Sequence, residues 1–303
     1  MTRFFYLIKP IIPRRMQLYL RRYLAKKQSK RYKDIWPILP GSEKKPENWI
    51  GWPEGKDFSL VLTHDVEWRN GHDKCRQLLE IEKELGFVSS FNFVPERYKV
   101  DKELRDFIIS EGFEVGVHGL KHDGKLFQDK IIFSERVIKI NQYLKEWDSV
   151  GFRAPAMHHN LEWIAELNIE YDLSTFDTDP FEPQPDGIGS IFPFWVEAKN
   201  GKPGYVEIPY TLVQDFTLFI IMNENSPTIW IDKLKWIAEN GGMALLNVHP
   251  DYLNFENKKE LEQFPVKFYS DFLKFVKENY EGKYWNALPK DVAVYYKTTG
   301  TMI

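Results

Sequence analysis

Two histidines four residues apart, His118 and His122, and two carboxylates two residues apart, Asp65 and Glu67, are the side chains of this sequence best placed to do chemistry. A four-residue spacing lets two imidazoles meet one cation on a helical or turn face. An i, i+2 spacing points two carboxylates to one side of an extended chain. A carboxylate from another strand, added to the histidine pair, makes a His, His, carboxylate set with a coordination position open to water, the arrangement of hydrolytic zinc sites. Arg153 sits beside a proline-constrained turn, Ala154-Pro155, and His249 precedes Pro250. For Arg153 a structural ion pair is the plain alternative, and its place next to the turn favours function.

The elements that must position these residues are legible as apolar runs. Strands are expected at 58–63, 87–94, 113–117, 149–152, 169–172, 205–208, 243–248 and 292–296. Helical periodicity covers 74–85, 101–110, 129–147, 161–167, 229–239 and 266–279, several of these stopping at glycine. The alternating order predicts a parallel sheet, either an open doubly wound sheet or a barrel. Asp65 and Glu67, His118, Arg153 and His249 each follow the C-terminal end of a different strand. That edge is where parallel α/β folds assemble active sites. His64 should face away from Asp65, in a packed role; His72 falls in a loop expected to be solvated; His158 and His159 form a loop pair. Trp68 and Trp195 are candidate sugar platforms or core residues.

With 303 residues and 43% hydrophobic composition, the chain can bury a sizeable core. A formal charge of −3 offers no argument for nucleic acid as a partner. The 16% aromatic content suits carbohydrate, although core packing uses the same residues. The single cysteine, Cys75, excludes an internal disulfide and fits a reducing, cytoplasmic compartment. Between Arg3 and Lys33 lie about eleven basic residues and no acidic one, interleaved with apolar side chains. This pattern suits either an amphipathic element on an anionic membrane surface, through residues 1–33, or a helix docked on its own domain or a partner. A Pro, Gly, Lys and Glu-rich connector follows, so the expected division is a basic extension and linker over 1–48 and a catalytic domain over 49–303.

Several motifs, in order, resemble the polysaccharide deacetylases of the NodB-homology type, carbohydrate esterase family 4. Thr63-His64-Asp65-Val66-Glu67 is similar to the first motif and His118-x-x-x-His122 to the second. Gly151-Phe152-Arg153-Ala154-Pro155 is similar to the third, and Leu245-Leu246-Asn247-Val248-His249-Pro250 to a late Leu-x-x-His-Pro motif. The resemblance spans roughly residues 58–296 and implies a distorted (β/α)7-type barrel with the active site at the C-terminal strand ends. It implies a divalent metal, zinc first and cobalt or manganese as alternatives, held by Glu67, His118 and His122. It further implies Asp65 as catalytic base, Arg153 orienting it, His249 protonating the departing amine, and an N–H near Ala156 on the oxyanion. Val66 stands where the common Asp-Asp form has its second acid, which passes the ligand role to Glu67. The acid that tunes the late histidine has no clear match, with Asp172, Asp177 and Asp179 as candidates and Asp177 or Asp179 preferred.

The implied activity is hydrolysis of an N-acetyl group from an amino sugar or glycan. The runs HDGKLF, DTDPFEPQPDG and PYTLVQD resemble a subgroup linked to bacterial surface-polysaccharide synthesis. Hydrolysis of a small cyclic or linear amide on the same scaffold is an alternative. So is a noncatalytic glycan-binding module, although such a module needs no base, ligand set, arginine and late histidine together.

Overall fold

The computed structural model describes residues 13–199, 201, 203–256 and 260–299. Helix α1 (Arg14–Arg31) comes first. Strands and helices then alternate: β1 (Phe58–Val66), α2 (Arg69–Leu85), β2 (Ser90–Phe93), α3 (Lys102–Ser110), β3 (Glu114–His118), α4 (Lys130–Glu146), β4 (Gly151–Arg153), α5 (Leu161–Ile164) and β5 (Tyr171–Asp172). The second half holds β6 (Phe194–Val196), β7 (Tyr205–Glu207), a π-helix (Phe216–Ile221), α6 (Thr228–Asn240) and β8 (Met243–Asn247). The small pair β9 (Leu253–Asn254) and β10 (Phe264–Pro265), then α7 (Val266–Tyr280), β11 (Tyr284–Ala287) and α8 (Pro289–Thr298) complete it.

Every residue of β1 is buried, as expected for a central strand covered on both faces. One side of β1 pairs with β8; the other is shared, with β11 along Phe58–Val61 and β2 along Thr63–Val66. From β2 the sheet continues through β3, β4, β5 and β7 in parallel, and β6 ends it antiparallel to β7. The chain after β7 then closes the ring. Tyr210 N–H donates to Thr175 O (2.9 Å), and Thr211 and Leu212 N–H both donate to Leu245 O on β8 (3.1 and 3.0 Å). The result is a distorted (β/α)7-type barrel with short, irregular strands on its closing side.

Three expectations change. Residues 292–296 are not a strand but lie within α8. Pro289 starts that helix where a missing N–H costs nothing, and Val292, Ala293 and Tyr296 bury one helical face, so packing overrides the β-propensity of Val-Ala-Val-Tyr-Tyr. The strand at this point is β11, just upstream. His72 is not solvated: α2 begins five residues earlier than its apolar periodicity, at Arg69, and His72 is buried with Nε2 accepting from Asp101 N–H (3.2 Å).

The basic segment forms α1 and packs on the barrel, with Gln17, Leu18 and Ala25 buried; residues 1–12 lie outside the described residues. The connector also joins the core. Trp52 is buried with its indole N–H on Gly241 O (2.9 Å), and Trp49 packs edge-on against Phe192. No helix among the described residues is long and apolar enough to cross a membrane.

Candidate active site

β1 stays extended through Val66, three residues beyond its apolar run, and this carries both carboxylates to the same side. The extension is held from outside. Asp251, just past β8, accepts the Glu67 N–H (2.8 Å) and caps the start of α2 by accepting from Trp68 N–H (3.1 Å) and Gly71 N–H (3.2 Å). Gly71 is required there, since a Cβ would lie 2.3 Å from an Asp251 carboxylate oxygen. Burial and the Glu67 charge push the Asp251 carboxyl up to about 7.

Asp65 is buried and gripped on both oxygens. Oδ1 accepts from Asn92 Nδ2 (3.0 Å) and Arg153 Nη1 (3.2 Å), and Oδ2 from Asn247 Nδ2 (2.9 Å). Arg153 is itself buried and anchored on Thr63 Oγ1 (2.8 Å) and Leu173 O (3.0 Å). Burial alone would raise the Asp65 pKa; Arg153 first, then His118, His249 and the Asn92 hydrogen bond reverse this and hold it well below the usual carboxylate range.

His118 ends β3, and His122 follows in an irregular loop at a left-handed φ of 52°, a costly conformation for a non-glycine residue. His118 Nδ1 lies 3.1 Å from Arg153 O, which can only accept, so Nδ1 carries the proton and Nε2 presents a lone pair. Burial keeps this ring neutral, with its pKa pushed down to about 4. Among the described residues the buried Nε2 atoms of His118 and His122 have no hydrogen-bond partner. His122 Nε2 instead lies 2.8 Å from Glu67 Oε1, and the ligating atoms of Glu67, His118 and His122 all fall within 4.8 Å of one another. Two orphaned imidazole nitrogens and a carboxylate converging at this spacing fit a divalent ion, which draws N and O ligands to about 2.0–2.2 Å. Tyr252 OH donates to the other Glu67 oxygen (3.2 Å). Burial opposes ionisation of Glu67, but the charge of the adjacent His122, and then those of His249 and His118, hold its pKa well below normal.

His249, after β8, faces this set, with Nε2 4.0 Å from both Asp65 Oδ2 and Glu67 Oε1. Its Nδ1 lies 2.7 Å from Asp215 Oδ1, and Asp215 Oδ2 also accepts the His249 N–H (2.8 Å). Burial would depress the imidazole pKa; the charge and hydrogen bond of Asp215, then Glu67 and Asp65, raise it to about 10. The acid at this histidine is therefore Asp215, not Asp177 or Asp179. Asp177 pairs with buried Lys233 (2.7 Å), Asp179 accepts from Tyr210 OH (3.0 Å), and Asp172 accepts from Ser174 Oγ (2.7 Å). Asp215 ends the run PYTLVQD, but spacing did not tie it to His249; it stands three residues past the segment that closes the barrel, and closure brings it there. Asn92, Asn247, Thr63, Asp251 and Tyr252 were likewise missed, although Asn247 lies inside the late motif.

His64 faces away, with Nε2 2.8 Å from buried Glu82 and Nδ1 2.9 Å from Val248 O. His159 is tied to its own loop through Met157 O (2.9 Å). Trp68 is half exposed beside the site with the Arg97 guanidinium 3.2 Å above its ring, whereas Trp195 lies on the edge strand β6, its indole N–H on Glu197 (2.9 Å).

No family model and no curated protein matches the sequence. Solved structures do match. A Mycobacterium smegmatis protein assigned to the polysaccharide deacetylases superposes with a TM-score of 0.63 at 19% identity, over 84% of this chain and 95% of the other. A Pseudomonas aeruginosa PAO1 protein with the same assignment gives 0.62 at 15% identity, over 83% and 95%. The PuuE allantoinase gives 0.64 at 14% identity, over 86% and 96%. At these identities the likeness is one of architecture, and on that evidence the chain has the barrel fold shared by these polysaccharide deacetylases and an allantoinase.

Proposed function

We propose that this protein is a metal-dependent hydrolase of the polysaccharide deacetylase kind, removing the N-acetyl group from an amino sugar in a bacterial surface-glycan pathway. The observation that carries the reading is the convergence of the orphaned His118 and His122 nitrogens with Glu67, beside a second carboxylate gripped by three donors. Glu67, His118 and His122 would hold a divalent ion, zinc or else cobalt or manganese, which when bound lowers the pKa of water and polarises an amide carbonyl. Asp65, kept ionised by Arg153, accepts a proton from the attacking water. Asn92, Asn247 and Arg153 fix both of its oxygens, leaving little freedom to lose on reaction. His249, held protonated by Asp215, gives its Nε2 proton to the departing amine nitrogen, so that one water is consumed and acetate and a free amine result. The Ala156 N–H is the proposed donor to the oxyanion; its left-handed φ of 54° is the kind of strain retained at functional turns.

Acetate release from free, nucleotide-linked and lipid-linked N-acetylhexosamines, with each metal added in turn, tests this function. Release that requires the metal is expected. Hydrolysis of ring amides with none of the sugars cleaved would favour the second reading, a cyclic-amide hydrolase, which the likeness to an allantoinase supports. The proposed division into residues 1–48 and 49–303 fits α1 and the connector lying over the barrel. The outward side of α1 exposes Met16, Tyr19, Tyr23 and Leu24 among Arg15, Lys26, Lys27 and Lys30. That face suits peripheral contact with an anionic membrane surface, on the cytoplasmic side in our reading. Co-sedimentation with anionic but not neutral vesicles is the expected result.

A further inference from the structure

The loop that follows β2 reaches both chain segments that carry Glu67 and His122. Three consecutive residues make the connection. The Glu96 N–H donates to Leu120 O (2.9 Å), two residues before His122. Tyr98 OH donates to Val66 O (2.6 Å), the carbonyl of the same peptide whose N–H, at Glu67, goes to Asp251. That peptide is therefore gripped on both sides. Between these two bonds lies Arg97, its guanidinium carbon 3.2 Å from the centre of the Trp68 ring and its Nη1 3.5 Å from His122 O, the latter a long contact. Trp68 adjoins Glu67 in the chain, so one side chain spans the two segments.

The loop is itself fixed from both sides. Asp101, just before α3, donates its N–H to His72 Nε2 (3.2 Å) and accepts from Arg69 Nη1 (2.9 Å), both on α2. Glu96 Oε1 accepts from Lys139 Nζ on α4 (3.0 Å). The buried His72 also backs the tyrosine, its ring centre 5.9 Å from that of Tyr98. Such anchoring matters because regular structure places neither Glu67 nor His122. Glu67 stands one residue past β1, and His122 four residues past β3 at a left-handed φ that persists only where the surroundings over-determine it. His118, by contrast, belongs to β3 and has Arg153 O on its Nδ1.

We propose that residues 96–98 form a strap that sets the spacing of Glu67 and His122 for the metal, with Arg97 and Tyr98 as its positioning residues. This rests on the metal site of the hydrolase reading. Charge and position act in opposite senses at Arg97. Its guanidinium repels a cation, so charge alone predicts tighter metal binding once it is removed, whereas loss of position predicts weaker binding. Tyr98→Phe removes one hydroxyl and changes no charge.

Competition of the full chain with a chromophoric chelator for zinc, run well below the melting temperature, measures the effect. Arg97→Ala and Tyr98→Phe are each expected to weaken zinc binding about tenfold to hundredfold, with Arg97→Lys, which keeps a cation over Trp68, losing less. The visible absorption of bound cobalt reports ligand geometry and should change in both variants, which a loss of stability alone does not produce. Unchanged affinity in Tyr98→Phe, or unchanged or tighter binding in Arg97→Ala, would overturn the strap. If the native chain binds no zinc that depends on His122, the hydrolase reading falls and hydrogen exchange of the metal-free chain decides the strap. Faster exchange over 64–70 and 118–124 in Tyr98→Phe then upholds it, and an unchanged rate sinks it. Arg97→Gln, checked for an unchanged melting temperature, replaces the alanine variant if the latter does not fold.

Discussion

The catalytic assignment turns on pairs of side chains whose environments drive their proton affinities apart. Asp65 is kept without its proton by Arg153 first, then by His118, His249 and the Asn92 amide, while Asp215 loads His249 with one. Asp65→Asn keeps the shape and removes the proposed base. It should lower kcat by about 10²–10⁴-fold while metal content, measured by plasma emission, stays at the native level. Asp215→Asn removes the charge that lifts His249. In the proposed mechanism His249 acts in its protonated form, so activity should be lost as pH rises through its pKa. Lowering that pKa should move the alkaline limb of the kcat–pH profile to lower pH, by about one unit or more. An unmoved alkaline limb would exclude His249 as the acid.

At the scale of elements, the site depends on where strands stop and what lies beside them. β1 reaches Glu67 because Asp251 receives its N–H, and Asp251 fits because Gly71 opposite has no side chain. The same device recurs one strand along. Gly116 on β3 pairs with Asn92 on β2, and a Cβ at Gly116 would lie 2.0 Å from Asn92 Oδ1. Gly116→Ala should therefore displace Asn92 from Asp65, lowering kcat about tenfold or more and destabilising the fold by about 1–3 kcal/mol, the usual cost of overpacking. Restoration by Asn92→Ala of the stability lost in Gly116→Ala, but not of the activity, would show that the glycine acts through this contact. The apolar pattern predicts most of the core strands and helices here because their runs are periodic. It misassigns α8 and does not show β6, β9, β10, β11 or the π-helix, where short apolar runs do not distinguish the two periods.

On the scale of the whole molecule, several carboxyls are sealed into the barrel wall and raised by burial. Glu114, bound to Tyr171 OH (2.9 Å) and the Lys290 N–H (3.3 Å), is pushed up to about 7 from an ordinary 4.5, and Glu207 is raised well above its ordinary value by burial and by Asp172, its register partner. A folded-state pKa above the unfolded one means the native chain binds more protons, so stability falls as pH rises from the unfolded value through the folded one. The melting temperature should decline between about pH 5 and pH 8. Glu114→Gln should flatten that slope, and an unchanged slope would show that Glu114 is ionised in the folded chain. Added zinc should raise the melting temperature in a concentration-dependent way that Glu67→Gln weakens.

The sheet edge at which the candidate site residues gather follows from the order of residues along the chain. Polar residues placed immediately after apolar runs must emerge at the same end of a parallel sheet, so Asp65, Glu67, His118, Arg153 and His249 could be gathered without coordinates. Periodicity is local, however, and carries no information on which distant segments touch. Tertiary contacts alone bring Asp215 to His249, Asn92 and Asn247 to Asp65, and α1 onto the π-helix that follows Asp215. Asp215 meets His249 because the segment at 210–212 closes the barrel onto β8, and Asn92 and Asn247 meet Asp65 because β2 and β8 flank β1, pairings that no spacing along the chain relates.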